Sequence, residues 1–399
     1  MTQRTSLHRR RLALGLTGLG LTSMRPTAIH AAGRRQVSVS NVSALHRALD
    51  DANRSGGHIE LLLKDGVYLV QRTLNVQAPG IVIASESTSR DRVILRGDAM
   101  SAAAAIGNVL RVSAPDFTLR SITVERCRYH AVQIAGEAGA HRAQLIDCIF
   151  RDAFEQLVKI SGASSPGHTT CDDGLIEGCH FEFTAGIGPQ YYIGGIDGHD
   201  CSGWTIRGNS FRNIASPSRH IAEHAIHFWG IRNMTVERNL IIDCDRGIGF
   251  GMGQERSVQG GMIRNNVIMH SANAHPFADV GIVLESSANI DVLNNTIFQE
   301  HLYPRAIECR FAGTQGGRII NNLTNRAIAS RDGGRADVSH NYTRATASMF
   351  AHAANGNLRL SGSIPGVVDS GLSLTDVATD FDGRPRPLGT GHDIGAFEF

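Results

Sequence analysis

The chain has 399 residues, of which 42% are hydrophobic and 6% aromatic, and its formal net charge is +2 at pH 7. Removal of residues 1–32 would take away five arginines and no acidic residue, which would change the formal charge from +2 to −3. This balance argues against nucleic acid or a bulk anionic surface as a partner, so recognition of an anion must come from a local cluster of basic residues.

The N-terminus has the pattern of an export signal. A basic run, His8-Arg9-Arg10-Arg11, precedes an apolar stretch from Leu12 to Leu21 that is too short to span a bilayer, and small residues follow near position 30. The sequence therefore predicts a signal peptide over residues 1–32, and no membrane insertion of the mature chain. The arginine pair favours twin-arginine export, while Ala13 leaves the ordinary secretory route open. We expect a periplasmic or extracellular protein.

After this segment the sequence predicts one short helix followed by strands. Apolar residues at helical spacing occupy Asn41 to Asn53, namely Leu45, Ala48, Leu49 and Ala52. The stretch from Ile59 to Tyr68 that follows has the composition of strands.

From about Leu119 to Asn341 a short pattern repeats at intervals of 19 to 31 residues. In each copy an aliphatic residue is followed after two spacers by an anchor residue, which is most often Asn; the anchors are Ile122, Cys148, Cys179, Asn209, Asn239, Asn266, Asn295, Asn322 and Asn341. The copies are rich in strand-like runs and contain no convincing amphipathic helix, so a parallel β-helix is the best interpretation. We expect the asparagines to stack at a bend and to be structural.

The helix, the strands after it and the repeat together resemble secreted right-handed β-helix proteins of the pectate-lyase-like superfamily, over most of residues 38–399. The resemblance implies an all-β, single-stranded right-handed parallel β-helix solenoid whose N-terminal helix caps the open end of the first rung. The ending, from Phe381 to Glu398, resembles the tail of exported bacterial β-helix proteins and implies a C-terminal cap over about residues 365–399. Lyases, hydrolases, epimerases and phage adhesins share this fold, so it leaves the reaction open. We expect a monomer.

The seven cysteines cannot all pair within one chain. Cys171 and Cys201 each lie eight residues before an anchor, so they are predicted to occupy adjacent rungs and could form a disulfide. Cys148 and Cys179 lie in the anchor column, and Cys127 and Cys244 share another register. We expect buried thiols for these four.

A second register, downstream of the anchors, predicts a groove. Aligning one strand per rung places apolar residues inside and leaves an outward column of Gln133, Lys159, Tyr192, His227, Gly249, Val283, Glu308 and Ala329. Lys159, Tyr192 and His227 would then form a row of proton-handling side chains on adjacent rungs. These three are the predicted catalytic residues.

Flanking columns supply aromatic and basic side chains. Trp229 could stack on a sugar ring, and arginines could bind carboxylates with two hydrogen bonds each. The predicted substrate-binding residues are His224, Trp229, Arg246, Arg305 and Arg310. Such a groove suits an extended acidic polysaccharide.

Lys159 is one of only two lysines, with Lys64, in a chain that otherwise uses arginine for positive charge. Unlike guanidinium, an ammonium group can lose its proton. We therefore predict β-elimination on a uronic-acid-containing polysaccharide, with Lys159 or His227 as base, Arg246 with His224 neutralising the carboxylate, and Tyr192 as acid or as both acid and base.

No cofactor is required by the sequence, although Ca²⁺ is possible. Glu285 and Glu308 are weak candidate ligands, and ion pairing of this pair with Arg310 is favoured because calcium wants six to eight oxygens. Three alternatives stay open. They are a glycoside hydrolase that uses acids such as Asp197, Asp200, Asp243 and Asp245, a uronate C5-epimerase, and a non-catalytic carbohydrate-binding or adhesin module.

Overall fold

The computed structural model describes residues 34–163, 171–272 and 274–399. Residues Arg35–Phe399 form one compact unit. The predicted export segment, residues 1–32, lies outside the described residues. Within the described part of the chain, no helix is both long enough and apolar enough to cross a bilayer.

The predicted capping helix is confirmed and spans Val42–Arg54. Asn41 precedes the helix, and its side chain accepts a hydrogen bond from the backbone N–H of Ala44 at 2.9 Å, which satisfies one of the free donors of the first turn. The helix buries Leu45, His46, Leu49 and Ala52 against the first strands of the solenoid. It thereby covers the edge at which the stack of strands begins.

Three parallel sheets, here named A, B and C, make up the solenoid, and each turn of the chain contributes in general one strand to each. Sheet A contains Arg35–Val39, Ile59–Leu63, Val82–Ser85, Thr118–Arg120, Gln144–Ile146, Cys171–Asp172, Leu175–Glu177, Cys201–Ser202, Thr205–Arg207, Ile231–Glu237, Val258–Arg264, Ser287–Leu293, Gly317–Ile320 and Ala336–Ser339. Sheet B contains Gly66–Leu69, Val93–Arg96, Thr123–Cys127, Ile149–Ala153, His180–Glu182, Ser210–Arg212, Leu240–Ile242, Val267–His270, Thr296–Gln299 and Leu323–Thr324. Sheet C contains Leu74–Val76, Leu110–Val112, Val132–Ala135, Val158–Ser161, Ile196–His199, His224–Trp229, Arg246–Phe250, Ile282–Glu285, Arg305–Arg310 and Ala327–Arg331. The predicted parallel β-helix is confirmed.

The bend between sheets A and B explains the repeat. The residue before each anchor has a positive φ, between 50° and 65°; these residues are Ser121, Asp147, Gly178, Gly208, Arg238, Asn265, Asn294, Asn321 and His340. One left-handed residue turns the chain sharply enough for the anchor side chain to point into the solenoid. Asn, Asp and Gly are common at these positions because they tolerate this conformation best.

The anchor asparagines form the predicted ladder. Asn239 donates from Nδ2 to Oδ1 of Asn266 at 3.0 Å, and Asn266 does the same to Asn295. Each amide also donates to a backbone carbonyl of the preceding rung, such as Val236 O at 2.9 Å from Asn266. The side chains from Asn209 to Asn322 in this ladder are almost fully buried, and the hydrogen bonds offset the free-energy cost of burying their polar groups in the core.

The cysteine predictions are confirmed in position. Cys171 and Cys201 face each other on adjacent strands of sheet A, and both are free thiols, as are the other five cysteines. The Cys171 thiol donates to the carbonyl of Ala140 at 2.9 Å instead of forming the disulfide that the spacing allowed. Burial raises the pKa of Cys127 to about 12, so this thiol stays protonated and unreactive.

The C-terminal tail folds back along the side of the solenoid. Val367, Ile394 and Phe397 share an apolar cluster with Val267 and Phe298 of sheet B. Its polar groups bond to the bend residues of three successive rungs, through Asn265, Asn294 and Asn321. The tail, predicted as a cap, therefore packs lengthwise against the last rungs.

The remaining described elements are a short hairpin and three 3₁₀ turns. The hairpin pairs Phe350–His352 with Asn357–Leu360, and the 3₁₀ turns are Gly136–Ala138, Ala347–Met349 and Ala353–Asn355.

Candidate functional site

The outward column of sheet C is confirmed at every predicted position except one. Strand pairing aligns Gln133, Lys159, Asp197, His227, Gly249, Val283, Glu308 and Ala329. Asp197 takes the place predicted for Tyr192, because the strand of this rung is Ile196–His199. Tyr192 instead lies in the preceding loop with 43% of its surface exposed. Ile193 and Ile196 are both fully buried, so the spacing of apolar residues was compatible with a strand around Tyr192 as well as with the strand around Asp197.

A charged row crosses three rungs at the centre of this column. The ammonium of Lys159 donates to Oδ2 of Asp197, and Oδ1 of Asp197 faces Nδ1 of His227 at 3.7 Å. Burial raises the pKa of Asp197, but the charge and hydrogen bond of Lys159, with a smaller electrostatic contribution from His227, outweigh burial, and the pKa lies below its ordinary value. Asp197 is therefore a carboxylate at neutral pH, and it holds both neighbours in place.

His227 is fixed from its other side by the backbone. Its Nε2 lies 3.0 Å from the carbonyl oxygen of Gly251. A carbonyl can only accept, so Nε2 carries the proton and donates it. Nδ1 then faces both Asp197 and Oε2 of Glu223, which is 4.0 Å away.

His224 lies next to His227, with their ring centroids 4.6 Å apart. It is 5% exposed, and neither ring nitrogen has a hydrogen-bond partner. Burial, reinforced by electrostatic interaction with His227 and Arg246, lowers its pKa well below the ordinary value, so the ring is neutral at pH 7. Gly249 makes room for this ring, because a Cβ there would lie 2.6 Å from His224 Nε2.

An aromatic stack borders the row. Strand pairing aligns Ser161, His199 and Trp229, and the rings of His199 and Trp229 stack at 4.4 Å with an interplanar angle of 12°. The guanidinium of Arg256 also lies over the Trp229 ring, at 4.8 Å from its centroid. Trp229 is therefore held by two neighbours, and its predicted stacking on a sugar stays a prediction.

The predicted arginines occupy the downstream rungs, where each pairs with an acid. Arg246 lies 3.6 Å from Asp279, and Arg310 bonds to Glu285 at 2.6 Å. Burial raises the pKa of Asp279, and Arg246 opposes this rise in part.

The two weak calcium candidates are held by cations and donors. Glu285 bonds to Arg310, as the ion-pair prediction required, and it also accepts from the backbone of Gly253 at 2.6 Å. Glu308 is buried and accepts hydrogen bonds from Tyr303 at 2.6 Å, Arg305 at 3.1 Å and Arg331 at 3.2 Å. These contacts use the oxygens that calcium would need.

A cleft of about 190 Å³ joins these groups. His224, His227 and Glu223 form one end, and Arg246, Arg310 and Arg331 line its length. Four carboxylates, those of Glu223, Asp279, Glu285 and Glu308, line the same cleft, and each of the three arginines pairs with one of them. A carboxylate-bearing group such as one sugar residue of an acidic chain would therefore bind these guanidinium groups in competition with their present partners. Arg305 does not line this cleft, so its predicted substrate contact has no support from the cleft geometry.

Sequence reasoning missed two groups of the site, His199 and Glu223, and it named Asp197 as a candidate acid for hydrolysis without placing it in the outward column. The stretch Ile196-Asp-Gly-His199 alternates as a strand does, and that alternation was the signal that could have placed Asp197 and His199. The other acids considered for hydrolysis have structural partners. Asp245 accepts from the backbone of Ser216 and Ala222, and Asp243 accepts from that of Ser271.

Comparison with known proteins agrees with this architecture. Residues 118–361 match the family described as "Right handed beta helix region", and no curated protein sequence matches. Among solved structures, pectate lyase Pel9A is similar with a TM-score of 0.65 at 13% identity, covering 92% of this chain and 97% of that one. The alginate lyase from Paenibacillus sp. str. FPU-7 matches with a TM-score of 0.39 at 12% identity, covering 68% of this chain and 95% of that one. The Azotobacter vinelandii mannuronan C-5 epimerase AlgE4 A-module matches with a TM-score of 0.37 at 12% identity, covering 75% of this chain and 97% of that one. Since the family match spans more than half of the chain, the protein belongs to the right-handed β-helix family, and its fold is of the pectate-lyase-like kind.

Proposed function

We propose that this protein is a polysaccharide lyase that cleaves a uronic-acid-containing polysaccharide by β-elimination in the groove along sheet C. The observation that carries the proposal is the row of Lys159, Asp197 and His227, whose last member, His227, lines the cleft that also contains Arg246, Arg310 and Arg331. The row can handle a proton, and the cleft can neutralise a carboxylate. β-Elimination on a uronide needs both functions side by side.

In the proposed reaction the ammonium of Lys159, which is bonded to Asp197, first releases a proton to solvent, and the resulting amine removes the proton at C5 of the uronide. The electron pair of that C–H bond becomes the C4=C5 double bond, the C4–O bond breaks, and the leaving oxygen takes the proton back from the Lys159 ammonium. Arg246 binds the carboxylate of the reacting uronide, which makes the C5 proton more acidic, while Arg310, five strands from Lys159 along sheet C, binds a neighbouring sugar of the chain. Asp197 and His227 position Lys159.

Tyr192 is left out of this scheme. Its predicted place between Lys159 and His227 belongs to Asp197, and the argument for Tyr192 as an acid depended on that place.

Supporting evidence of a coarser kind comes from the fold, which the chain shares with a pectate lyase over nearly its whole length. That likeness bears on the architecture alone. The substrate class therefore depends on the arginines of the cleft, and we propose an acidic polymer as partner. We place the reaction outside the cytoplasm, because the N-terminal segment has the pattern of an export signal.

The test is to incubate the purified protein with alginate, pectate, glucuronan and glycosaminoglycans, with calcium and with chelator. β-Elimination creates a conjugated double bond, so we expect an increase in ultraviolet absorbance on at least one polymer. No increase on any member of the panel would refute the proposal for these substrates.

The two lysines allow a matched comparison of variants. Lys159→Ala and Lys159→Arg should each lower turnover by about 100-fold or more, because Arg keeps the charge but cannot act as a base near neutral pH. Lys64→Ala, which removes the other lysine, should leave turnover unchanged. If Lys159→Arg retains activity, Lys159 serves for charge alone and the base is another group.

A second candidate, a glycoside hydrolase, is favoured by one finding. Asp197 and Glu223 both face His227 Nδ1, at 3.7 Å and 4.0 Å, so two carboxylates flank the same end of the cleft. Hydrolysis uses such a pair. The outward column predicted from the sequence contained no Asp, whereas in the structure Asp197 occupies its centre. New reducing ends without ultraviolet absorbance, abolished by Asp197→Asn, would select this candidate.

A further inference from the structure

Three side chains at the end of the cleft bring metal-binding atoms together. One carboxylate oxygen of Glu223 and one ring nitrogen each of His224 and His227 all lie within 4.8 Å of one another. Oδ1 of Asp197 is a fourth donor, 3.7 Å from His227 Nδ1. Proximity alone makes no site, so the state of each donor decides what the cluster can do.

The hydrogen bonding of His227 leaves the right nitrogen free. Because Nε2 donates to the Gly251 carbonyl, Nδ1 has its lone pair available toward Glu223, His224 and Asp197. Histidines that bind metals are usually held in this way, with the other nitrogen donating to a carbonyl or carboxylate.

His224 and Asp197 provide the second observation. His224 is 95% buried, since 5% of its surface is exposed, and both of its ring nitrogens lack a hydrogen-bond partner. Oδ1 of Asp197 is buried and also makes no hydrogen bond, while Oδ2 receives the Lys159 ammonium. A buried polar atom without a partner costs about 1–3 kcal/mol, so these atoms call for a ligand.

We propose that Glu223, His224, His227 and Asp197 bind a divalent transition-metal ion of the zinc class. Two imidazoles and two carboxylates suit zinc or cobalt, whereas calcium binds oxygen atoms almost alone. Donors about 2.1 Å from a tetrahedral zinc ion lie about 3.4 Å apart. His227 Nδ1 lies 3.7 Å from Asp197 Oδ1 and 4.0 Å from Glu223 Oε2, and the donors of Glu223, His224 and His227 lie within 4.8 Å of one another, so binding requires the donors to move closer together. The partly exposed Glu223 side chain can supply part of this contraction.

The proposed ion would change the electrostatics of the cleft. It would neutralise the charges of Asp197 and Glu223, and it would weaken the attraction of Asp197 for the Lys159 proton. The ion would therefore act on the group that we propose as the base of the elimination. This consequence rests on the proposed function, while binding of the metal does not.

The experiment measures binding and catalysis separately. Tag-free protein is stripped with chelator and titrated with Zn²⁺ in a calorimeter, and the Co²⁺ form is examined for visible absorption. We expect one ion per chain. We expect Glu223→Gln and His224→Ala each to weaken binding by about 10-fold or more.

His180→Ala serves as the matched control, because His180 lies on sheet B away from the cleft and pairs with Glu182. It should bind zinc as the unaltered protein does. Circular dichroism shows whether each variant keeps its fold. Substoichiometric binding by the unaltered protein, or equal binding by all variants, would overturn the proposal and assign the ion to surface histidines. Tight zinc binding without any elimination would uphold the site and refute only the proposed reaction.

Discussion

Gly249→Ala tests the metal site without removing any donor atom. Gly249 lies in the outward column beside His227, and its φ lies outside the left-handed region, so alanine fits the backbone. The added Cβ would lie 2.6 Å from Nε2 of His224 and 2.8 Å from two of its ring carbons. Ordinary contact begins at 3.4 Å, so the ring must move by about 0.8 Å, the difference between these distances.

That displacement is large for a metal ligand. Ligand distances are held within about 0.2 Å, so a shift of 0.8 Å should remove His224 from the coordination sphere. We expect zinc affinity to fall by about 10-fold or more, equivalent to about 1.4 kcal/mol. Crowding in the site should also lower the free energy of unfolding by about 1–3 kcal/mol.

The assay is competition for Zn²⁺ against a chromophoric chelator, with calorimetry as a check. Gly362→Ala is the control, because a Cβ there meets nothing within 4 Å and the φ of Gly362 is not left-handed either. Unchanged zinc affinity in a folded Gly249→Ala protein would refute the assignment of His224 as a ligand.

Three further predictions concern stability, measured by urea unfolding. Asn266→Ala should lower the free energy of unfolding by about 4–6 kcal/mol, because it leaves two buried N–H groups of Asn239 without an acceptor and removes two more hydrogen bonds. Asn341 is partly exposed at the end of the ladder, so Asn341→Ala should lower the free energy of unfolding by less, and equal losses would contradict the role of the ladder. Glu398→Gln should lower the free energy of unfolding by about 3–5 kcal/mol, because it leaves the buried charge of Arg386 without its ion-pair partner. A decrease below about 1 kcal/mol, which is typical of an exposed ion pair, would contradict this prediction. Burial lowers the pKa of His301 to about 3, so the ring stays neutral in the fold while the unfolded chain takes up a proton below about pH 6.5. Stability should therefore decrease by about 2 kcal/mol as the pH falls to about 5, and His301→Gln should reduce this loss.

The sequence predicted what depends on local patterns repeated many times. The capping helix follows from one amphipathic stretch around Leu45 and Leu49, and the ladder follows from asparagines that recur at a fixed place before an apolar residue. The outward column was correct on every rung except the one that contains Ile196–His199. These features depend on neighbours in the chain or on a repeat that averages out errors.

The errors occur where one rung departs from the repeat. The loop before Ile196 carries Ile193 into the core, so apolar spacing could not distinguish two registers five residues apart. Because of this five-residue error in register, the sequence did not predict that Asp197 lies beside Lys159 and forms an ion pair with it. The sequence also could not predict that the ring nitrogens of His224 lack hydrogen-bond partners, because hydrogen bonding in the site depends on residues from four rungs.

The lengthwise packing of the C-terminal tail has a mechanical consequence. In a solenoid each rung contacts only its neighbours, so local unfolding of one rung breaks only its two interfaces with the adjacent rungs. Here a single segment is bonded to Asn265, Asn294 and Asn321 on three successive rungs, and opening any of them must also detach the tail. The tail thus couples the opening of these three rungs to one another. The arginines of the cleft extend from the same part of the solenoid, so their spacing should hold when a long polymer pulls on the groove.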